Sequence, residues 1–367
     1  MTGKSRVLPI PGRQDDVANG VEQSLVLKVV NGKLQAFNAA SEGGWYWERK
    51  LAGAFFYPRK AQVVAAAEAW ALVHKIRQAE EDKTAGDLIT LVIIDMQMDF
   101  CLLDGSLYVP GAEDDVANVA EFILRNLERI GDIIISLDSH LPLQIHTRAY
   151  WLDTLTGRIV DAFTMISEED IASGRFEARF HPEGEPDWGA EYTNILEQKA
   201  KKTLMAWPYH TMVGGVGSAL MPALFEVILF WSIAKGKNYK FVAKGTPLHT
   251  ENYAFTEAEV ITSDPDSEFR SDIVDEIGRA TLVYIAGEAK SHCVLESITS
   301  MEEHYRNNAK HVLSKMRIMG NCMSSVGNII DENTGDVIVD FDAMANQFFA
   351  AFQRDGIKIV DSTDPIG

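Results

Sequence analysis

From Leu88 onward the sequence alternates short β-branched apolar runs with longer segments of helical periodicity. The first run, LITLVIID, is apolar without interruption, as expected of a central parallel strand that is buried on both faces. Further apolar runs lie at 132–137, 240–243, 282–286, 311–319 and 357–360, and helical patterns between them include 116–129, 218–235, 294–306 and 341–354. This rhythm predicts an α/β fold with three αβα layers and a mostly parallel six-stranded sheet.

The first part of the chain lacks this alternation. Residues 1–86 are predicted to form an N-terminal extension with a hairpin around Asn31–Gly32 and a helix over 61–78. Aromatic residues that begin at Trp45 are expected to pack this extension onto the rest of the protein.

The remaining residues, 87–367, are predicted to form the main domain. A long polar stretch at about 147–205, with scattered aromatic residues, interrupts its alternation. We interpret this stretch as an insertion that covers one end of the sheet.

Composition limits the partners. A net charge of -19 argues against nucleic acids and anionic membranes, which would repel such a surface. The best apolar run, 220–234, is interrupted by Pro222 and Glu226, so no membrane-spanning segment is predicted. The N-terminus lacks the apolar core of a signal peptide, and three cysteines without framework spacing favour reduced thiols. We therefore expect a cytoplasmic protein with a small-molecule partner.

Three reactive side chains follow three of the predicted strands. Asp95 ends the first strand, Lys244 ends the third, and Cys293 follows the fourth at the start of a helix, where the helix dipole favours a thiolate. Taken singly, they are equally consistent with a capping carboxylate, a surface lysine and a buried thiol. Because the carboxyl ends of parallel strands meet at one edge, we expect all three in one crevice.

Five motifs connect the chain to a known family. In chain order they are VIIDMQMDF (92–100), DSH (138–140), WPYHTMVGGVGSAL (207–220), KGTPLHTENYAF (244–255) and GEAKSHCV (287–294). In this order they resemble the motifs of nicotinamidases, which belong to the isochorismatase-like cysteine hydrolases. The resemblance covers roughly 88–362 apart from the insertion, and it implies the isochorismatase-like fold.

The resemblance implies a catalytic triad of Asp95, Lys244 and Cys293. Lys244 would stabilise the thiolate, and Asp95 would accept the thiol proton and return it to the leaving ammonia. The backbone amides of Ala289 and Cys293 would form the oxyanion hole. Members of this family commonly have a cis peptide in this turn, which would fall near Glu288–Ala289.

A metal site is also expected. Asp138 and His140 are two positions apart, so an extended backbone directs both side chains to the same side. The resemblance makes His210 the third ligand and implies a divalent ion, zinc or alternatively iron or manganese, that orients the substrate ring. His146 matches the family pattern only loosely, and both a place beside the metal ligands and ordinary packing remain open.

The motifs also depart from the family pattern. Lys290, Ser291 and His292 replace residues that are usually Thr-Asp-Tyr-like, which adds positive charge beside the nucleophile. His292 as a proton shuttle is the less favoured interpretation. Cys322 is expected to have no role in catalysis.

The sequence therefore predicts a metal-containing cysteine amidohydrolase that deamidates nicotinamide or a related heteroaromatic carboxamide through a Cys293 thioester. The alternative substrate is another small amide, ureide or carbamoyl compound. Interpretations from other classes are an assembly or sensing module and a redox-sensing thiol, and neither needs the complete triad. The resemblance also implies a homo-oligomer.

Overall fold

The computed structural model describes residues 26–30, 33–37, 45–74, 89–185, 187–200, 202–330 and 334–367. The predicted boundary at residue 86 and the end of the predicted helix 61–78 lie outside these ranges. Within them, none of the helices has the length and apolar character that crossing a bilayer requires.

The centre of the protein is a six-stranded sheet. Its strands are β1 (Ile89–Ile94), β2 (Ile130–Asp138), β3 (Lys240–Lys244), β4 (Leu282–Gly287), β5 (Met316–Met319) and β6 (Lys358–Val360). They lie in the order β3-β2-β1-β4-β5-β6, and every neighbouring pair is parallel. The predicted mostly parallel sheet is confirmed. The direction of winding reverses between β1 and β4, where sheets of this kind open a ligand crevice beyond the carboxyl ends of the strands.

Helices cover both faces of the sheet. The helices of these two layers are α1 (Lys60–His74), α2 (Ala112–Arg125), α3 (Pro222–Lys235), α4 (Ser271–Gly278), α5 (Leu295–Asn308) and α6 (Phe341–Arg354). Further helices span Met98–Cys101, Glu168–Ala172 and Trp188–Ile195. Side chains of β1 alternate between the two layers: Leu91 and Ile93 pack with α1–α3, whereas Val92 and Ile94 pack with α4–α6. The three-layer prediction is therefore confirmed.

Local sequence explains where α2 and α3 begin. Three consecutive acids, Glu113–Asp115, occupy the first turn of α2, where they interact favourably with the helix dipole. The helix therefore begins earlier than the predicted 116–129. In α3, Pro222 occupies the first turn, a position that has no need of its missing N–H group.

One predicted strand was too long. Of the apolar run 311–319 only Met316–Met319 is a strand, and Lys310–Lys315 forms 3-10 turns instead. Val312 and Leu313 are buried in those turns. Periodicity alone does not distinguish a buried turn from a buried strand in so short a run.

The predicted N-terminal hairpin is present. Strands Val26–Val30 and Lys33–Phe37 pair antiparallel, and Tyr46–Glu48 adds to the first of them as a third strand.

The aromatic patch packs this part of the chain onto α3, as predicted. Trp45 stacks on Phe230 with ring centroids 4.8 Å apart. The Trp45 Nε1–H donates to Glu226 Oε2 at 2.9 Å, and Arg59 Nη2 pairs with the same oxygen at 2.7 Å. Glu226 is a carboxylate buried in the α3 face, so these two partners compensate its desolvation.

The segment predicted as an insertion has a core of its own. One small sheet consists of strands Trp151–Asp153, Arg158–Ile159 and Phe176–Ala178, and a second consists of Thr164–Ile166 and Leu204–Ala206. Outside this segment, Ile329–Ile330 pairs with Val337–Val339. The core of the segment includes Tyr150, Trp151 and Tyr192, which are completely buried. The two ends of the segment meet where the Trp207 N–H donates to the His146 carbonyl at 2.8 Å.

Candidate active site

The structure brings the predicted residues to one edge of the sheet. Asp95 follows β1, Asp138 and Lys244 are the last residues of β2 and β3, and Cys293 follows β4. All four are buried. The switch in winding between β1 and β4 therefore places the thiol across the crevice from the strands that carry the acids and the lysine.

Lys244 is the link between these side chains. Its Nζ lies 3.5 Å from Cys293 Sγ and 3.0 Å from Asp95 Oδ2, and it donates to Asp138 Oδ1 at 2.8 Å and to the Asn252 carbonyl at 3.0 Å. Burial disfavours its charged form, but the Asp138 and Asp95 carboxylates outweigh burial and hold the pKa of Lys244 well above its usual value. The lysine is therefore a fixed cation.

Asp95 has the features of a general base. Its backbone has a left-handed φ of +49°, a conformation that few non-glycine residues adopt. Ser136 Oγ donates to its Oδ1 at 2.6 Å. Burial raises the pKa of Asp95 although Lys244 opposes the shift. A carboxylate with a raised pKa is a better proton acceptor near neutral pH.

Cys293 is held as a thiol. Burial raises its pKa well above the usual value, and Lys244 offsets only part of that effect. The nearby Asp95 and Asp138 carboxylates raise the pKa of the thiol further. The helix-dipole argument favours a thiolate, but in this buried position desolvation is the larger effect. The proton therefore has to leave when the sulfur attacks.

The backbone amide of Ala289 lies in the turn that leads from β4 to the cysteine. Glu288–Ala289 is a cis peptide, at the place that the family resemblance implies. On either side of Ala289, the amides of Gly287, Glu288 and Lys290 all donate to backbone carbonyls. The Ala289 amide has no such acceptor among the described residues. It is therefore available to bind a negatively charged oxygen.

Asp138, His140 and His210 form a compact donor group. Asp138 Oδ2 lies 2.8 Å from His140 Nε2 and 3.5 Å from His210 Nε2. On the far side of each ring, His140 Nδ1 is 3.2 Å from the Gly245 carbonyl and His210 Nδ1 is 2.7 Å from the Pro208 carbonyl. These carbonyls accept from N–H at Nδ1, so each Nε2 faces the carboxylate, where a bound cation or a proton would separate the nitrogen from the oxygen. Metal-binding histidines are oriented in this way.

His146 and Glu251 extend the group. His146 packs against His140 with ring centroids 4.1 Å apart, and its Nδ1 is 3.3 Å from Glu251 Oε2. The donor atoms of these three residues lie within 4.8 Å of one another. Burial lowers the pKa of His146 well below its usual value, and neither ring nitrogen has a hydrogen-bond partner among the described residues. A neutral buried imidazole without partners beside a carboxylate fits a divalent cation site.

These groups open into one small pocket. It encloses about 380 Å³ of space, part of which is open to solvent. Aromatic side chains line it: Phe100, Trp207, Tyr253 and His292. Burial and Lys202 lower the pKa of His292 to about 3, so its ring is neutral. The aromatic part of the lining therefore suits a flat ring.

Sequence reasoning missed several residues that position the site. Gln97 holds the Asp138 backbone, with its Oε1 accepting from the amide at 2.7 Å and its Nε2 donating to the carbonyl at 2.8 Å. Gln144 Nε2 donates to the Gly245 carbonyl at 2.7 Å, the carbonyl that also faces His140. Ser136 is a polar residue within the apolar run of β2, which is a usable sequence signal, whereas Gln97 and Gln144 lie outside the apolar runs and give none.

Comparison with known proteins gives a partial picture. No protein-family model matches this chain, and no curated protein is similar enough to match it. Solved structures do match. The Acinetobacter baumanii nicotinamidase/pyrazinamidase is 15% identical with a TM-score of 0.45, over 77% of this chain and 99% of that chain. The yeast nicotinamidase is 16% identical with a TM-score of 0.48, over 75% of this chain and 100% of that chain.

A third match is the Pyrococcus horikoshii pyrazinamidase in complex with zinc. It is 15% identical with a TM-score of 0.42, over 74% of this chain and 98% of that chain. The matches named here are nicotinamidases and pyrazinamidases, the class that the motif order resembles.

Proposed function

We propose that the protein is a metal-dependent cysteine amidohydrolase that converts a small heteroaromatic carboxamide, such as nicotinamide, to its carboxylate and ammonia. One observation carries this proposal. The Lys244 Nζ contacts the thiol of Cys293 at 3.5 Å, the carboxylate of Asp95 at 3.0 Å and that of Asp138 at 2.8 Å. A nucleophile, a base and a candidate metal ligand thus share one buried cation.

In the first step the sulfur attacks the carboxamide carbonyl carbon. As the carbon–sulfur bond forms, Asp95 takes the thiol proton and the carbonyl π electrons move to oxygen. Lys244 stabilises the developing thiolate. The amides of Ala289 and Cys293 would donate to the new oxyanion, where fixed donors lower the barrier most.

The intermediate then collapses. The carbon–nitrogen bond breaks, Asp95 gives its proton to the departing nitrogen, and ammonia leaves behind a Cys293 thioester. Asp95 next removes a proton from a water molecule, which attacks the thioester carbon. When the carbon–sulfur bond breaks, Cys293 takes up that proton and the carboxylic acid product is released, ionising in solution.

Asp138, His140 and His210 would hold the divalent ion, with His146 beside them. When bound, such an ion supplies a Lewis acid that can fix a ring nitrogen of the substrate. The rings of Phe100, Trp207 and the neighbouring aromatic residues would then hold the substrate plane and exclude water.

Ammonia release from nicotinamide by the purified, metal-loaded protein tests this proposal. Cys293→Ala should abolish release and keep the fold, whereas Cys322→Ala, which changes a buried thiol outside the pocket, should keep the activity. Release that persists in Cys293→Ala would rule out the covalent mechanism. If the wild type releases nothing from nicotinamide, a panel of other small amides and ureides tests whether the reaction class holds with a different substrate.

A further inference from the structure

A glutamate is buried directly beside the Ala289 amide of the nucleophile turn. Glu288, which precedes Ala289, has no exposed surface. Its Oε2 accepts from the Ser324 amide at 3.2 Å, and its Oε1 receives no hydrogen bond from a donor group of the described residues. The carboxyl group of Asp115, itself 5% exposed, lies in hydrogen-bonding contact with the Glu288 carboxyl. Two acids therefore meet in the core behind the turn.

Among the described residues, the charged groups that act most strongly on this pair are acids, including Asp114 and Glu113 beside Asp115. Asp115 and Glu113, both on α2, bear on Glu288 electrostatically, and Cys101 of the short helix Met98–Cys101 is a buried neutral thiol beside them. Burial and then the Asp115 carboxyl raise the pKa of Glu288 well above its usual value, and burial raises the pKa of Asp115 to about 6. Ionising both of two adjacent buried carboxyl groups costs much free energy, because the two negative charges repel each other. A proton held between them also gives Glu288 Oε1 a hydrogen-bond partner.

The pair holds the turn on both sides of Ala289. Ser324 Oγ donates to Asp115 Oδ2, while its backbone amide donates to Glu288. The Ser324 carbonyl accepts from the Lys290 amide at 2.8 Å. Ser324 therefore connects Asp115 with Glu288 and Lys290, the residues on either side of Ala289.

We propose that Glu288 and Asp115 share one proton and act as positioning residues that fix the Ala289 amide where it can donate to the reaction's oxyanion. The catalytic half of this inference rests on the proposed function, whereas the shared proton can be tested without a substrate. When the pair loses its last proton, two carboxylates repel each other behind the turn, and the amide loses its fixed position.

Thermal unfolding against pH tests the shared proton. The folded-state pKa values lie above those of unfolded carboxyls, so the stabilising contribution is complete below the unfolded pKa and is lost as the pH rises through the folded pKa. Glu288→Gln cannot lose a proton. Its Tm relative to wild type should therefore rise as the pH increases above the range in which an ordinary glutamate ionises. Glu226→Gln changes a buried glutamate that has Arg59 as a partner, and it should show no such rise. A flat or falling difference for Glu288→Gln would overturn the shared proton.

Turnover tests the positioning role. An oxyanion-hole donor is worth roughly 10²–10³-fold in kcat, so Glu288→Ala, which releases the turn, should lower kcat by about tenfold or more while KM changes little. Glu288→Gln should keep most of kcat and lessen the fall of kcat at alkaline pH, and Asp115→Asn should act in the same direction. Circular dichroism shows whether each variant is folded.

A folded Glu288→Ala protein with wild-type kcat would overturn the positioning role. So would a fall in the kcat of Glu288→Ala that Glu288→Gln does not restore. If the wild type hydrolyses none of the amides, the proposed function fails while the unfolding experiment still decides the shared proton.

Discussion

Replacing Lys244 by methionine removes the buried charge and keeps most of the side-chain length. At the 3.5 Å that separates Nζ from Cys293 Sγ, attraction between a lysine cation and a thiolate is roughly 5 kcal/mol at an effective dielectric constant of about 20. The same change raises the basicity of Asp95, which also loses its cation, and this offsets part of the loss. We therefore expect kcat to fall by about 10²–10³-fold, which corresponds to about 3–4 kcal/mol.

The assay is kcat and KM for ammonia release by metal-loaded protein, together with the rate at which iodoacetamide alkylates Cys293 near neutral pH. Both rates should fall in Lys244→Met. Lys202→Met is the matched control, because Lys202 also pairs with two carboxylates, Glu259 at 2.6 Å and Glu296 at 2.9 Å, but is not among the groups that contact the thiol. Its kcat should change far less, whereas its KM is expected to change because Lys202 Nζ lies 5.3 Å from the ring centroid of Tyr253, which lines the pocket.

Two results would refute the reasoning: a Lys244→Met protein with kcat within about tenfold of wild type, or an equal loss in Lys202→Met. Circular dichroism has to accompany the kinetics, since two buried carboxylates without their cation cost roughly 3–5 kcal/mol of stability. If the single variant unfolds, the double variant Asp95→Asn, Lys244→Met removes one of those carboxylates, and its alkylation rate should still be below that of Asp95→Asn alone.

Two other substitutions probe the surroundings of the site. Gly245→Ala should lower the bound metal measured by elemental analysis, because Gly245 has φ +74° and a Cβ there would lie 2.7 Å from Asp138 Oδ1 and from His140 Cε1; undiminished metal content would contradict a site at these residues. Trp45→Phe removes the hydrogen bond to Glu226 and should cost about 1.5–3 kcal/mol of unfolding free energy in thermal or denaturant unfolding with kcat unaltered. A loss of kcat at unchanged stability would contradict a purely structural role for Trp45.

The sheet was predictable because its strands are strongly apolar. An uninterrupted run such as 89–94 has few alternatives to a buried strand, and the shared direction of parallel strands then places Asp95 and Lys244 at one edge. The run at 311–319 shows the limit, since burial alone produced the same pattern over turns and over a strand.

The polar contacts of the site were predictable only in part. The spacing of Asp138 and His140 predicts that their side chains point to the same side. No local sequence pattern predicts that Glu251 faces His146. The contact of Glu288 with Asp115 joins distant parts of the chain through tertiary packing alone. The resting state of Cys293 depends on how deeply the thiol is buried, and the position of a residue at the start of a helix does not report that depth.

Glu226 also has a consequence for comparing this protein with others of its fold. A carboxylate in the buried face of α3 is tolerated because Arg59 and Trp45 reach it from the N-terminal segment. Chains that lack this segment should therefore carry an apolar residue at the equivalent position. The glutamate, the arginine and the tryptophan are expected to appear and disappear together among relatives. Their joint presence in a related sequence would then predict that the related protein folds with a helix like α1 packed on its α3.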